Sequence, residues 1–136
     1  MTSEELLRKA AIAVQSSKLL LDAGDLDGAC NRAYYAMFDA ARAALLFEGS
    51  TSSLASIKTH SGQISAFSLE LDKTGKVSVD LGKAINKVED LRMVADYKGD
   101  SIKREHAQWA YDQAGVFVAA MKILVTSNPS GSPSAS

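Results

Sequence analysis

Arg32, Tyr35, Asp39 and Arg42 follow one another at intervals of three, four and three residues. On a helix that spacing puts all four on one face. An arginine, a tyrosine and a carboxylate gathered in a concavity could hold a phosphodiester, the guanidinium through paired N–H donors and the phenol as a further donor. The plainer alternative is a solvated or interface stripe laced by ion pairs one turn apart, each worth ~0.3–0.5 kcal/mol.

A second group closes a later helical stretch, where Arg92 and Asp96 stand one turn apart with Tyr97 adjacent. The ordinary role is an ion pair with a tyrosine at its boundary. In that pair the arginine precedes the carboxylate, which is the weaker order against the helix dipole, so simple stabilisation explains it less well. A third group, Lys58-Thr59-His60-Ser61-Gly62, sits where a helix is expected to begin. Free amides and the dipole there favour an anion, with Lys58, His60 and Ser61 as its ligands; the alternative is a surface or capping histidine. His106, beside Arg104 and Glu105, reads as solvent-facing. Neither histidine is paired with another ligand at i,i+4, and no phosphate-binding glycine loop or Gly-x-Ser-x-Gly elbow occurs. No metal and no cofactor are therefore expected.

The elements that must position these groups read as helices throughout. Proline is absent from residues 1–128 and β-branched residues are sparse, which favours helix over strand. The first helix opens on the capping box Thr2-x-x-Glu5, turns Leu7, Ala11, Val14 and Leu21 inward, and ends near Gly24. Asp25 caps a second helix running to about Glu48, with Ala33, Met37, Ala41 and Ala44 or Leu45 as its stripe beside Tyr34 and Phe38. A shorter third spans Lys58 to Leu71 with Ile64, Phe67 and Leu71 inward, and the turn at Lys73-Thr74-Gly75-Lys76 reverses the chain. Ser78 and Asp80 start a fourth, with Leu81, Ile85, Val88 and Leu91 or Met93 inward, that runs to Tyr97. The fifth starts near Ser101 and carries Ala107, Ala110, Ala114, Phe117, Met121 and Leu124.

Such stripes are buried by antiparallel packing around one core, so the expected fold is an all-α, antiparallel four- to five-helix bundle. Ala40, Ala41, Ala43 and Ala44 make a thin surface suited to the core or to a dimer seam. Cys30, the single cysteine, reads as a small buried hydrophobe, and Trp109 and Tyr111 as packing residues.

A chain of 136 residues fits one domain, here residues 1–126. The ending SNPSGSPSAS at 127–136 holds both prolines and too little apolar surface to order itself, so a flexible tail is expected. Fifteen Lys and Arg against sixteen Asp and Glu give a net charge of −1. That excludes the bulk basic field of a general nucleic-acid binder and confines any RNA contact to a local patch. With no long apolar run or charged-then-apolar leader, a cytoplasmic location and no membrane contact are expected.

Asn31-Arg-Ala-Tyr-Tyr-Ala-Met-Phe-Asp-Ala-Ala41, Lys58-Thr-His-Ser-Gly62, Lys73-Thr-Gly75 and Leu91-Arg-x-x-Ala-Asp-Tyr97, in that order, resemble one lineage of the HEPN superfamily over about residues 5–125. The resemblance implies a helical bundle that dimerises and is often encoded beside a minimal nucleotidyltransferase, as one half of a toxin–antitoxin pair. Many members are metal-independent ribonucleases that use an Arg followed four to six residues later by His. This chain departs from that motif. After six intervening residues Arg32 is followed by Asp39, where close relatives often carry His, and the polar groups after Arg92 are Asp96 and Tyr97. An ordinary aspartate, with a pKa of ~3.9, is a poor general acid near neutrality. Three readings follow: a homodimer that binds nucleotide, RNA or the partner protein without cutting; an endoribonuclease toxin using Arg32 with Asp39, or Arg92 with Asp96 and Tyr97; and a structural adaptor.

Overall fold

The computed structural model describes residues 1–49, 67, 71, 75–97 and 102–126, with side chains given to residue 94 in the third of its helices. These residues form four helices: α1 (Ser3–Ala23), α2 (Leu26–Phe47), α3 (Val79–Tyr97) and α4 (Arg104–Thr126). No strand occurs among the described residues, and the protein is all-α.

The caps follow the sequence closely. Thr2 accepts from the Glu5 amide while the Glu5 carboxylate accepts from the Thr2 amide, the reciprocal box that satisfies two free donors. At the other end of α1, Gly24 adopts a left-handed conformation with φ of 88°, which glycine reaches without the Cβ clash of other residues. Its amide closes onto the carbonyls of Leu20 and Leu21. Asp25 then caps α2 by accepting from the Gly28 amide at 2.9 Å. With two residues between them, α1 and α2 must fold back on each other.

Two hydrogen bonds fix that hairpin. Ser3 Oγ, at the start of α1, donates to the Ala43 carbonyl near the end of α2 at 2.9 Å. Ser17 Oγ donates to the Ala29 carbonyl at 2.8 Å. The inward face of α1 is Leu6, Ala10, Ala13, Ser17 and Leu21, one step round from the expected stripe. Leu7 and Val14 flank the core and Ala11 is exposed. The cause lies in α2, whose small residues let the α1 backbone approach closely. The positions of closest approach are then filled by Ala and Ser, and the larger apolar residues move to the flanks.

Helix α2 is the centre of the bundle. Ala33, Tyr34, Ala36, Met37, Ala40, Ala41, Ala43, Ala44 and Leu45 are wholly buried, so the alanine-rich surface lies within the core of a single chain. The amide of Ile102, just ahead of α4, donates to Asp27 at 3.0 Å, which sets α4 parallel to α2 and antiparallel to α1. Lys76, just ahead of α3, pairs with Glu48 at the far end of α2 at 2.7 Å, which makes α3 antiparallel to α2. The four described helices thus alternate in direction along the chain.

Helix α4 starts at Arg104, a few residues beyond the position near Ser101 read from sequence. Ile102 and Lys103 precede it outside the helix, with Ile102 buried and tied to Asp27. In α3, Leu91 packs against the core while Met93 is exposed. The expected Lys58–Leu71 helix lies outside the described residues except for Phe67 and Leu71. Both are buried, and Phe67 stacks at 5.4 Å on Phe117 of α4. The expected tail at 127–136 also lies outside them. No described helix is long and apolar enough to cross a membrane.

Candidate functional site

Most of the α2 surface is wholly buried, but Asn31, Arg32, Tyr35, Asp39 and Arg42 are only half-buried. Among the described residues they form a sector of this central helix between α1 and α3. Lys9 of α1 marks one edge, close enough for its charge to act on Asp39, as do the charges of Arg32 and Arg42. Arg92 of α3 marks the other edge and feels the Tyr35 phenol.

Among the described residues the face is rich in cations, and of these Arg92 forms an ion pair. Lys9, Arg32, Arg42 and Arg92 surround two carboxylates, Asp39 and Glu89, in a chain whose net charge is −1. Neither Arg32 nor Arg42 forms an ion pair with Asp39. The Arg42 Nε and the Asn31 Oδ1 are buried without a hydrogen-bond partner among the described residues. A buried donor or acceptor left unmatched costs free energy. Burial raises the Asp39 carboxyl above its ordinary pKa, and the three cations draw it down only in part.

Arg92 is held more firmly. It is 9% exposed, its Nε donates to Glu89 Oε1 at 3.1 Å, and its guanidinium carbon stands 4.9 Å from the centre of the Tyr34 ring. Burial alone would lower its pKa. The hydrogen bond to Glu89 and that carboxylate's charge outweigh burial and raise it. Tyr34 is wholly buried and packs edge-on to Tyr35 at 5.3 Å and against Phe38 at 6.0 Å. Burial and the nearby Glu89 charge push its phenol far above the ordinary tyrosine range, so it stays protonated.

The structure therefore brings Arg32, Tyr35, Asp39 and Arg92 onto one continuous surface. Sequence reasoning paired Arg92 with Asp96, whereas the described partner of Arg92 is Glu89. The signal was present, since Glu89 precedes Arg92 by three residues in the favourable acid-before-base order. Lys9 and Glu89 were not singled out from sequence, and Asn31 only as the first residue of its motif. The side chains of Asp96 and Tyr97 lie outside the described residues, as do Lys58, His60 and Ser61. Among the described residues no group of three His, Cys, Asp or Glu side chains could hold a metal.

A polar, cationic strip on the central helix of an alternating bundle is the class of arrangement defined here, and comparison with known proteins gives its family. The family model for the HEPN domain matches residues 3–124, and the chain belongs to the HEPN family. A UPF0332 protein of Thermotoga maritima is 36% identical over 120 residues, covering 86% of each chain. A Methanocaldococcus jannaschii protein named "Putative toxin MJ0142" is 32% identical over 127 residues, covering 92% of this chain and 83% of its own. A second protein of that organism carrying the toxin name is 33% identical, covering 88% and 85%.

Proposed function

We propose that this chain is the HEPN component of a toxin–antitoxin-type pair, with a minimal nucleotidyltransferase as its partner, and that as a homodimer it grips RNA or nucleotide phosphate on the α2 face. The toxin names of the relatives support the first part. One observation carries the second: half-buried Arg32, Tyr35 and Arg42 stand together between Lys9 and Arg92, with the Arg42 Nε unmatched. Guanidinium groups offer the planar, paired donors that phosphate oxygens accept, and partial burial strengthens such contacts by excluding water. In this reading Asp96, Tyr97, Lys58, His60 and Ser61, singled out from the sequence, also take part in binding.

The endoribonuclease reading has one observation in its favour. A carboxyl raised by burial, as at Asp39, holds its proton closer to neutrality than an exposed one and is better fitted to donate it to a leaving oxygen.

One experiment separates the two. Purified protein is mixed with end-labelled single-stranded RNA and followed for both retention and cleavage. Binding without cleavage, weakened at least tenfold in Arg32→Ala and Arg42→Ala, is the expected result. Cleavage by the wild type that disappears in Arg32→Ala would replace the binding reading with the nuclease one, and RNA affinity unchanged in both variants would remove the α2 face from either.

A further inference from the structure

A second site is built between α3 and α4, away from the α2 strip. Lys87 and Leu91 of α3 face Glu105, His106 and Trp109 of α4 across a groove of about 520 Å³, within the size range of small-ligand sites. Trp109 is half-buried, with part of its indole against the core and the rest lining this groove. The Lys87 ammonium lies 5.8 Å from the centre of its ring.

We infer that this groove binds a nucleotide unit carrying an amino-bearing base, stacked on Trp109, with its phosphate held by Lys87 and His106 and its amino group donating to Glu105. Each partner follows from the chemistry of the wall it meets. An indole face at the edge of a groove is a stacking platform for any base. Lys87 and Glu105 are both exposed, and neither forms an ion pair among the described residues. The Lys87 contact with the indole is at the outer limit of a cation–π interaction and is weaker than base stacking. A base therefore displaces the ammonium, which stays within reach of the phosphate on its flexible stem. An imidazole N–H at His106 supplies a second donor. The Glu105 carboxylate only accepts, so it favours guanine, adenine or cytosine, whose amino groups donate, over uracil, whose one edge donor, the ring N3–H, is flanked by two carbonyls that repel a carboxylate.

Free nucleotides and the bases of a single-stranded RNA share this chemistry, and the test distinguishes them. Trp109 is the protein's one tryptophan, so its emission reports the groove directly. The full-length protein is titrated with GMP, AMP, CMP and UMP, and separately with oligoadenylate and oligouridylate. Quenching by GMP, AMP or CMP at concentrations at least fivefold below those needed for UMP is expected for a free-nucleotide site. Quenching by oligoadenylate but by no mononucleotide assigns the site to RNA. Lys87→Ala, at an exposed position, should weaken quenching about tenfold with an unchanged thermal melt, and Glu105→Ala should erase the preference over uracil. No quenching by any mononucleotide at millimolar concentration nor by either oligonucleotide, equal quenching in Lys87→Ala, or emission that changes with protein concentration alone, as when a second copy fills the groove, would overturn the inference. RNA binding that depends on Arg42 yet leaves Trp109 emission unchanged would overturn it while leaving the α2-face reading intact; nucleotide quenching with no Arg42-dependent RNA binding would do the reverse.

Discussion

Arg92 lies over the Tyr34 ring, its guanidinium carbon 4.9 Å from the ring centre, and so ties the third helix to the central one. The same guanidinium donates to Glu89, with both side chains largely shielded from water at 10% and 16% exposure. Its first role is to anchor the edge of the α2 strip, because the Tyr34 and Tyr35 rings are set edge to face beside it. Replacement by alanine leaves the Glu89 carboxylate and the Tyr34 phenol facing a void. Arg92→Ala should cost about 2–3 kcal/mol of stability in urea unfolding. Arg92→Lys should recover only part of this, since an ammonium cannot reproduce the flat guanidinium over the ring. A loss below about 0.5 kcal/mol for the alanine variant would show that the clamp is incidental.

The start of α2 offers a test of a single cap. A Cβ at Gly28 would run into the Asp25 carboxylate that caps the helix. Asp25→Ala should cost about 1 kcal/mol. Gly28→Ala should be near neutral in the wild type, because displacement of the cap offsets the roughly 1 kcal/mol gained from replacing a helical glycine. In the Asp25→Ala background the clash is gone, and the same change should stabilise by about 0.5–1 kcal/mol. A double-mutant cycle on these two positions measures the coupling, and strict additivity would contradict it.

Ser17 is wholly buried and spends its hydroxyl on the Ala29 carbonyl at 2.8 Å. Ser17→Ala should therefore cost about 1 kcal/mol. Ser17→Leu should cost more, roughly 2–3 kcal/mol, because the alanine face of α2 leaves no room for it. Equal midpoints for Ser17→Leu and wild type in chemical denaturation would mean that α1 does not sit this close to α2.

These residues also mark where sequence is and is not a guide to structure. Helix ends were legible because Thr2, Glu5, Gly24 and Asp25 act on the backbone within a few residues of themselves. The inward face of α1 was misplaced by one position because hydropathy rewards Leu7 and Val14, whereas contact with an alanine surface rewards small volume at Ala10, Ala13 and Ser17. Helical spacing placed Arg32, Tyr35, Asp39 and Arg42 on one face, since that is local geometry. The approach of Lys9 and Arg92 to that face depends on which helices become neighbours, and no local pattern encodes it.

Asp39 links stability to function on the α2 face. Burial raises its folded-state pKa above the ordinary value of 3.8, in spite of Lys9, Arg32 and Arg42. A raised acid binds its proton more tightly in the folded protein than in the unfolded chain. Its contribution is thus most favourable at low pH and is lost as pH rises from the ordinary value through the raised one. Asp39→Asn, which stays neutral, should be at least as stable as the wild type at pH 7 and lose that advantage near pH 3.5, where the wild-type carboxyl is protonated too. The opposite order, with Asp39→Asn clearly weaker at pH 7, would mean that the three cations outweigh burial. The same variant separates the two functional readings. On a binding face, removing the carboxylate among Lys9, Arg32 and Arg42 takes away a repulsion and should tighten RNA binding severalfold. In a nuclease it removes the proton donor and should abolish cleavage while leaving RNA bound.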